Sequence, residues 1–181
     1  MYNYTLSFIA GLLAMLCACV SYFVKKKAIF LVLQALAIIF LAVSCLFNVQ
    51  YYACISYGLS LVRVFIYYIF ERKDKPIKLW ISGIFALLVV ISYVLTNIII
   101  LQNYGAVDLL ILIANLMYTF VFAMRNMCKL RLCFIPPTII SIVYFILSHA
   151  TPFVIISYCF ELVANTVAII LYQKRKKTAV K

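Results

Sequence analysis

The sequence carries one carboxylate and one guanidinium inside long apolar runs. Glu161 lies near the middle of the run 152–172, and Arg63 lies within the run 51–70. If these runs cross a bilayer, an ionised side chain near the centre costs about 2.5–3.5 kcal/mol on insertion scales, so such residues usually face a cavity, form a pair or become neutral. The chemistry open to them is therefore solute binding, proton transfer or ion pairing.

Both charged residues belong to polar helix faces. Tyr158 precedes Glu161 by three positions and Asn165 follows it by four, so the three side chains share one helix face. Similar faces comprise Ser56, Ser60, Arg63 and Tyr67 on the third run, and Asp108, Asn115 and Thr119 on the fifth. Lipid accepts none of these groups, so the three faces predict an interior that is wet or hydrogen-bonded.

The sequence leaves three interpretations of Glu161 and Arg63 open. The two charges form an ion pair that only locks the helices together, or the pair, or Glu161 with Asn165, lines a solute or proton site. In the third interpretation Glu161 is protonated and hydrogen-bonded within the bundle. The candidate substrate-binding or pore-lining residues are Glu161, Asn165, Arg63, Ser60, Asn115 and Tyr158, and the secondary candidates are Asp108, Ser56 and Thr119.

The composition indicates the environment of these runs. Of the 181 residues, 69% are hydrophobic and 11% are charged, whereas a soluble domain has about 45–50% apolar and about 25% charged residues. A net charge of +12 would otherwise suggest nucleic acid, but every basic residue except Arg63 lies in a short segment between or after the apolar runs. We therefore expect an all-α membrane protein whose partner is the lipid bilayer and not nucleic acid.

Seven apolar runs predict seven transmembrane helices, because a helix needs about 20 apolar residues to cross the hydrocarbon core. The runs are 4–24, 28–49, 51–70, 79–101, 107–124, 132–147 and 152–172. Connections that hold the loop lysines and arginines alternate with connections that hold none. By the positive-inside rule the basic side is cytoplasmic, which places the amino terminus outside and the carboxyl terminus in the cytoplasm.

Two similar phrases predict an internal repeat. ISYGLSLV begins at Ile55 and ISYCFELV begins at Ile156, with five identities in eight positions. The first and fifth runs match more weakly, at an offset of 104 residues. The predicted arrangement is 3+1+3, with a three-helix repeat at 4–73, a linker helix at 79–101 and a second, parallel repeat at 107–174. Parallel repeats of this kind occur in transporters, whose substrate site lies at the repeat interface.

A proline pair, Pro136 and Pro137, falls early in the sixth run. Proline has no backbone N–H, so it costs little at a helix start but kinks a helix further in. The pair therefore marks either the beginning of the sixth helix or a hinge at which that helix bends.

Short polar motifs carry a resemblance to a known family. They are Leu59–Arg63 in the third run, Glu161 and Asn165 in the last run, and the basic ending Gln173–Lys176. With these motifs and its 3+1+3 order, the chain resembles the SWEET and PQ-loop transporter superfamily and, within it, is similar to the YgjV-like bacterial inner-membrane proteins. It departs from sugar-carrying relatives in having no Pro-Gln dipeptide and no proline in the first run. The resemblance implies an inner-membrane location and alternating access between two three-helix bundles.

From the sequence we predict a small-solute transporter that is not an enzyme. The chain has one histidine, and its seven cysteines do not form two CxxC pairs, so we expect no metal and no cofactor. The expected solute is small, polar and, if Glu161 is free to attract it, cationic. The alternative is a structural or regulatory membrane subunit whose polar residues only stabilise helix packing. A homo-oligomer is compatible with both functions.

Overall fold

The computed structural model describes residues 2–47, 51–96, 107–148 and 152–178, and these residues are mainly helical. The helices are α1 Tyr2–Phe23, α2 Lys27–Phe47, α3 Tyr51–Arg72, α4 Leu79–Tyr93, α5 Asp108–Ala123, α6 Met127–Leu147 and α7 Pro152–Thr178. Within the described residues there is no strand. The all-helical class predicted from composition is therefore confirmed.

Five of the helices contain a segment that is long and apolar enough to cross a membrane, judged by length and composition. These segments are Thr5–Phe23, Lys27–Ser44, Leu79–Thr96, Met127–Leu147 and Val154–Lys174. The apolar helix α5 has only 16 residues, and residues 97–106 before it lie outside the described part of the chain. Helix α3 carries Arg63, Glu71 and Arg72. The full set of seven spans and the directions of the termini thus stay predictions.

The outside of the bundle is apolar and its inside is partly polar. Large side chains such as Phe65, Trp80 and Leu132 are about 60% exposed, at 60%, 61% and 59%. A surface rich in such side chains needs an apolar covering. The buried polar residues include Ser7, Ser21, Gln34, Arg63, Thr119, Arg131, Ser141 and Asn165. This distribution suits helices that face lipid on one side and hydrogen-bond to one another on the other.

Helices α1–α3 pack against one another in the same order as helices α5–α7 do. Helix α2 lies between α1 and α3, and α6 lies between α5 and α7. The two groups meet where α1 contacts α7 and where α3 contacts α5, while α4 packs mainly on α5. The contact of α1 with α7 therefore corresponds to the contact of α5 with α3, when α1 is equated with α5 and α7 with α3.

The turns and the buried positions of the two groups also correspond. Phe23 ends α1 and Lys27 begins α2, while Ala123 ends α5 and Met127 begins α6, so this turn recurs after 100 residues. The predicted offset of 104 residues is therefore longer than the spacing of these two connections by about one turn of α-helix. Buried residues recur at the same offset in α2 and α6 (30 with 130, 31 with 131, 34 with 134), and at 101 in α3 and α7 (63 with 164, 64 with 165, 67 with 168).

Helix α6 begins earlier than the sequence predicts. The predicted start at Leu132 is wrong, because the Asn126 side chain caps the helix by accepting from the N–H groups of Cys128 and Lys129. Pro136 and Pro137 consequently lie inside α6 and not at its start. Of the two roles predicted for this pair, the helix start is therefore excluded.

Candidate functional site

A cavity of about 310 Å³ lies between α3, α4, α5, α6 and α7. Its polar lining consists of Ser56, Tyr57, Ser60, Ser92, Tyr93, Thr96, Asn115, Tyr144 and Tyr158, and its apolar lining consists of Leu59, Val89, Ile111, Leu112 and Phe145. Hydroxyl groups and one carboxamide thus supply donors and acceptors, and among the described residues that line the cavity there is no Asp, Glu, Lys, Arg or His. A volume near 300 Å³ is at the small end of the range for ligand pockets.

The cavity lies at the end of the bundle opposite the basic segments. Lysines and arginines gather near the ends of α1, α3, α5 and α7, and we call this the basic end; the other is the neutral end. Ser56 lies near the start of α3 and Tyr158 near the start of α7, whereas Thr96 closely follows α4. All of these positions belong to the neutral end. The connections around 48–50, 97–106 and 149–151 at this end lie outside the described residues.

Four of the residues predicted to line a site do line this cavity. They are Ser56, Ser60, Asn115 and Tyr158. Asp108 is a neighbour and not a lining residue: its carboxylate oxygen accepts a hydrogen bond from Tyr144 Oη at 3.4 Å, and Tyr144 lines the cavity. The helices α3, α5 and α7, whose polar faces were predicted to turn inward, thus all contribute to the cavity, together with α4 and α6.

Arg63 lies one helical turn deeper than Ser60 and does not line the cavity. Its guanidinium is buried, donates from Nη1 to Thr119 Oγ1 at 2.6 Å and lies 5.4 Å from the centre of the Phe122 ring. Thr119 in turn donates to the backbone oxygen of Asn115 at 2.9 Å. Tyr67 Oη donates to the backbone oxygen of Thr119 at 3.2 Å. Arg63 and Thr119 therefore form a layer directly below the cavity, between α3 and α5.

Glu161 is hydrogen-bonded to Tyr22 and not to Arg63. Tyr22 Oη of α1 donates to Glu161 Oε1 at 2.5 Å, whereas Arg63 is bonded to Thr119. Among the described residues, the ion pairs are Lys27 with Glu71 and Arg125 with Asp74. A direct ion pair between Arg63 and Glu161, one of the interpretations that the sequence leaves open, is therefore not present, and each side chain is held by neutral groups from the opposite three-helix group.

Asn165 joins helices and does not face the cavity. Its Nδ2 donates to the backbone oxygen of Arg131 in α6 at 2.8 Å, and the residue is only 2% exposed. Arg131 Nη2 donates across to the backbone oxygen of Val24 at 2.8 Å. Asn165 and Arg131 thus connect α7, α6 and the end of α1 near the basic end.

Five aromatic side chains fill the bundle between the cavity and the basic end. The ring of Phe134 lies 5.1 Å from those of Tyr118 and Phe122, centroid to centroid, and 5.7 Å from that of Tyr22. Phe30 completes the group at 6.1 Å from Phe134. Such edge-to-face and tilted contacts are the preferred geometries of aromatic pairs. This aromatic cluster of Tyr22, Phe30, Tyr118, Phe122 and Phe134 closes the interior below the cavity.

Two ion pairs lie beyond the aromatic cluster. Lys27 Nζ of α2 lies 3.4 Å from Glu71 of α3, and both side chains are largely shielded from solvent. Arg125 Nη2 lies 3.0 Å from Asp74 Oδ1 and both side chains are more exposed. The second pair joins the turn after α3 to the turn after α5. Two of the four acidic residues of the chain therefore hold basic segments together.

The charges within the apolar runs do not indicate Tyr22 or the other residues of the aromatic cluster. An aromatic residue in such a run looks like ordinary core or interfacial packing. The spacing of the two turns offers a signal, since at an offset of 100 residues Tyr22 aligns with Phe122 and Phe30 with Leu130. All four are buried around the centre of the bundle.

Comparison with known proteins decides the family. The Imp-YgjV family of bacterial inner membrane proteins matches residues 5–176. The chain belongs to this family. No curated protein and no solved structure matches the chain. Together with its apolar helices, this membership makes the chain a multi-pass protein of the bacterial inner membrane.

Proposed function

We propose that this Imp-YgjV protein carries a small, neutral, polar solute across the inner membrane. The observation that carries the proposal is the cavity of about 310 Å³ at the neutral end, rich in hydroxyl groups and closed below by the Arg63–Thr119 layer and the aromatic cluster. Polar groups lining a cavity inside a membrane protein are costly unless water or solute satisfies them. A cavity near one end that is closed toward the other end is what alternating access requires.

The packing order supports a 3+1+3 architecture of the SWEET and PQ-loop type. Helices α1–α3 and α5–α7 pack in the same order, meet through two equivalent contacts and bury corresponding positions at offsets of 100 and 101 residues. Helix α4 is the linker in this arrangement. With the basic end in the cytoplasm, as loop charge predicts, the cavity lies toward the outside.

The lining also revises the expected class of solute. A cationic solute was expected if Glu161 were free to attract it, but Glu161 accepts a hydrogen bond from Tyr22 and does not line the cavity. The lining hydroxyl groups and the Asn115 carboxamide suit a solute that has several hydroxyl or amide groups and no net charge. Tyr158 and Phe145, with ring centroids 5.0 Å apart, provide an apolar wall.

Flux through proteoliposomes tests the proposal. We expect the purified protein to move at least one member of a panel of small neutral polyols, sugars and amides faster than protein-free liposomes do. Asn115→Ala should lower this flux about tenfold, because the loss of one hydrogen bond of about 1–1.5 kcal/mol corresponds to roughly that factor. Thr166→Ala is the matched control, since the Thr166 hydroxyl bonds within α7 to Leu162 on an exposed face.

A structural or regulatory membrane subunit is the second candidate. It is favoured by Arg63 and Asn165, which join helices within packed protein. If this function is correct, no solute of the panel moves faster than in protein-free liposomes, and Asn115→Ala changes only the stability of the bundle. Equal flux in the wild type and in Asn115→Ala would likewise show that the cavity is not part of a transport path.

A further inference from the structure

We propose that a second cavity, at the basic end, binds the phosphate headgroup of an anionic phospholipid. This cavity of about 370 Å³ lies between α1, α6 and α7. It is separate from the first cavity, and the two have no lining residue in common. The proposal is independent of solute transport.

The cavity offers positive charge, and none of its lining residues in the described part of the chain is acidic. Its charged lining residues are Lys25, from the turn after α1, and Arg131, from α6. Guanidinium and ammonium groups are the usual donors to phosphate oxygens in proteins. Basic pockets between transmembrane helices on the cytoplasmic side bind lipid headgroups by this chemistry.

Arg131 has an unsatisfied donor. Its Nη2 donates to the backbone oxygen of Val24, but its Nε is buried and has no hydrogen-bond partner among the described residues, and the residue is only 4% exposed. Buried donors normally have a hydrogen-bond partner, so this guanidinium has donor capacity that the described residues do not use. A phosphate oxygen in this cavity would accept from the guanidinium.

The apolar rim favours a lipid over a free phosphate ion. Phe23, Leu171 and Tyr172 also line the cavity, and they are 50%, 43% and 42% exposed on the outside of the bundle. Acyl chains can cover these side chains while the headgroup meets Lys25 and Arg131. The cavity therefore combines a basic pocket with an apolar, lipid-facing rim, and an anionic phospholipid matches both parts.

Bound at this place, the lipid would bridge the two three-helix groups. Helix α1 belongs to the first group, and α6 and α7 belong to the second. The cavity lies beside the α1–α7 contact, where Arg131 already donates to the end of α1. A headgroup held between Lys25 and Arg131 would add a second connection between the groups.

Lipid retention by the full-length protein tests the proposal. The protein is reconstituted in nanodiscs of phosphatidylcholine with a small fraction of phosphatidylglycerol, and lipid enrichment around the protein is measured by mass spectrometry. Wild type should enrich phosphatidylglycerol. Lys25→Gln should reduce its apparent affinity about fivefold, since a basic residue near an anionic headgroup contributes about 1 kcal/mol. Arg131→Gln should reduce it at least tenfold, as the loss of a charged donor predicts.

Lys26→Gln is the matched control. Lys26 is exposed in the same turn and does not line the cavity, so this variant should retain wild-type enrichment within about twofold. Equal losses in Lys25→Gln and Lys26→Gln would mean general surface attraction and would overturn the proposal. If Arg131→Gln fails to fold, the comparison of the two lysine variants still decides. Inorganic phosphate that abolishes enrichment at millimolar concentration would identify a free anion as the occupant and would also overturn it.

Discussion

At the scale of single residues, Glu161 and Arg63 are held in the interior by neutral partners. Glu161 accepts from Tyr22, and Arg63 donates to Thr119 and faces the ring of Phe122. A buried charge needs compensation from hydrogen bonds or an opposite charge. Here the compensating groups come from a different helix of the opposite three-helix group, so each charge contributes to the contact between the two groups.

The bond between Tyr22 and Glu161 should stabilise the bundle measurably. Tyr22→Phe removes the donor and leaves the carboxyl group without it, so we expect a loss of about 1–2 kcal/mol in the free energy of unfolding. Unfolding in mixed micelles with increasing denaturing detergent measures this loss. Glu161→Gln keeps an acceptor oxygen of similar shape, and its cost should be smaller.

A double-mutant cycle separates this bond from packing. If the two side chains interact directly, Tyr22→Phe should cost less in a Glu161→Met background, which offers no acceptor oxygen, than in the wild type. Tyr172→Phe serves as the control, because Tyr172 is 42% exposed. Additive effects of Tyr22→Phe and Glu161→Met would show that the contact does not contribute to stability.

At the scale of helices, α6 combines the features expected of a bending element. Pro136 is exposed and Pro137 is buried, and each lacks the N–H that would bond to the preceding turn. The hydroxyl groups of Thr138 and Ser141 donate to the backbone oxygens of Phe134 and Pro137 at 2.8 and 2.9 Å. Such bonds often accompany bent helices.

Pro136→Ala should make α6 stiffer and slow transport. The alanine restores a backbone N–H on the exposed side, without removing a buried side chain, so stability should be unchanged or higher. We expect the solute flux to fall about threefold or more if the helix bends during the transport cycle. Flux and unfolding are measured on the same preparation.

Ile139→Ala, on the same exposed side of α6, is the control. Normal flux in Pro136→Ala would mean that the proline pair is not a hinge.

The sequence predicts the helices well, but it predicts the contacts between them less well. Apolar runs place all seven helices because burial in lipid requires continuous apolar sequence. The start of α6 was missed because Lys129 and Arg131 interrupt the hydrophobic pattern, although Asn126 gives a recognisable helix-capping signal. The partner of Glu161 could not be predicted, since it depends on how α1 and α7 are rotated against each other. A spacing rule within one helix says nothing about that rotation.

At the scale of the whole molecule, the two ends of the bundle differ in what fills them. The neutral end holds a cavity with a polar lining. Below it, the interior is packed with the aromatic cluster, and the basic end is joined by the Lys27–Glu71 and Arg125–Asp74 ion pairs. Of these, Arg125–Asp74 crosses between the two three-helix groups and is exposed, so it adds at most about 1 kcal/mol. A contact of that size can open during a transport cycle.

This asymmetry predicts from which side the cavity can be reached. In a cysteine-free background, Ser60→Cys places a thiol in the cavity lining, and Thr138→Cys places one near the aromatic cluster, where the residue is 2% exposed. A membrane-impermeant maleimide should label Ser60→Cys at least about tenfold faster from the neutral end than from the basic end, as expected for a path closed at one end. Thr138→Cys, the control, should label slowly from both ends. Inverted and right-side-out vesicles provide the two directions, and they also test whether the basic end is cytoplasmic.

The response of this labelling to solute distinguishes a carrier from a rigid bundle. A transported solute should protect Ser60→Cys from the neutral end by occupying the cavity, and its transport cycle should expose the same thiol to reagent added at the basic end. A ligand can shift a conformational equilibrium only by its difference in affinity between the two states, so a solute that merely fills the cavity would protect without producing the second effect. Protection without exposure at the basic end would leave a binding pocket in a static bundle, and equal labelling from both ends without solute would mean that the aromatic cluster does not close the path.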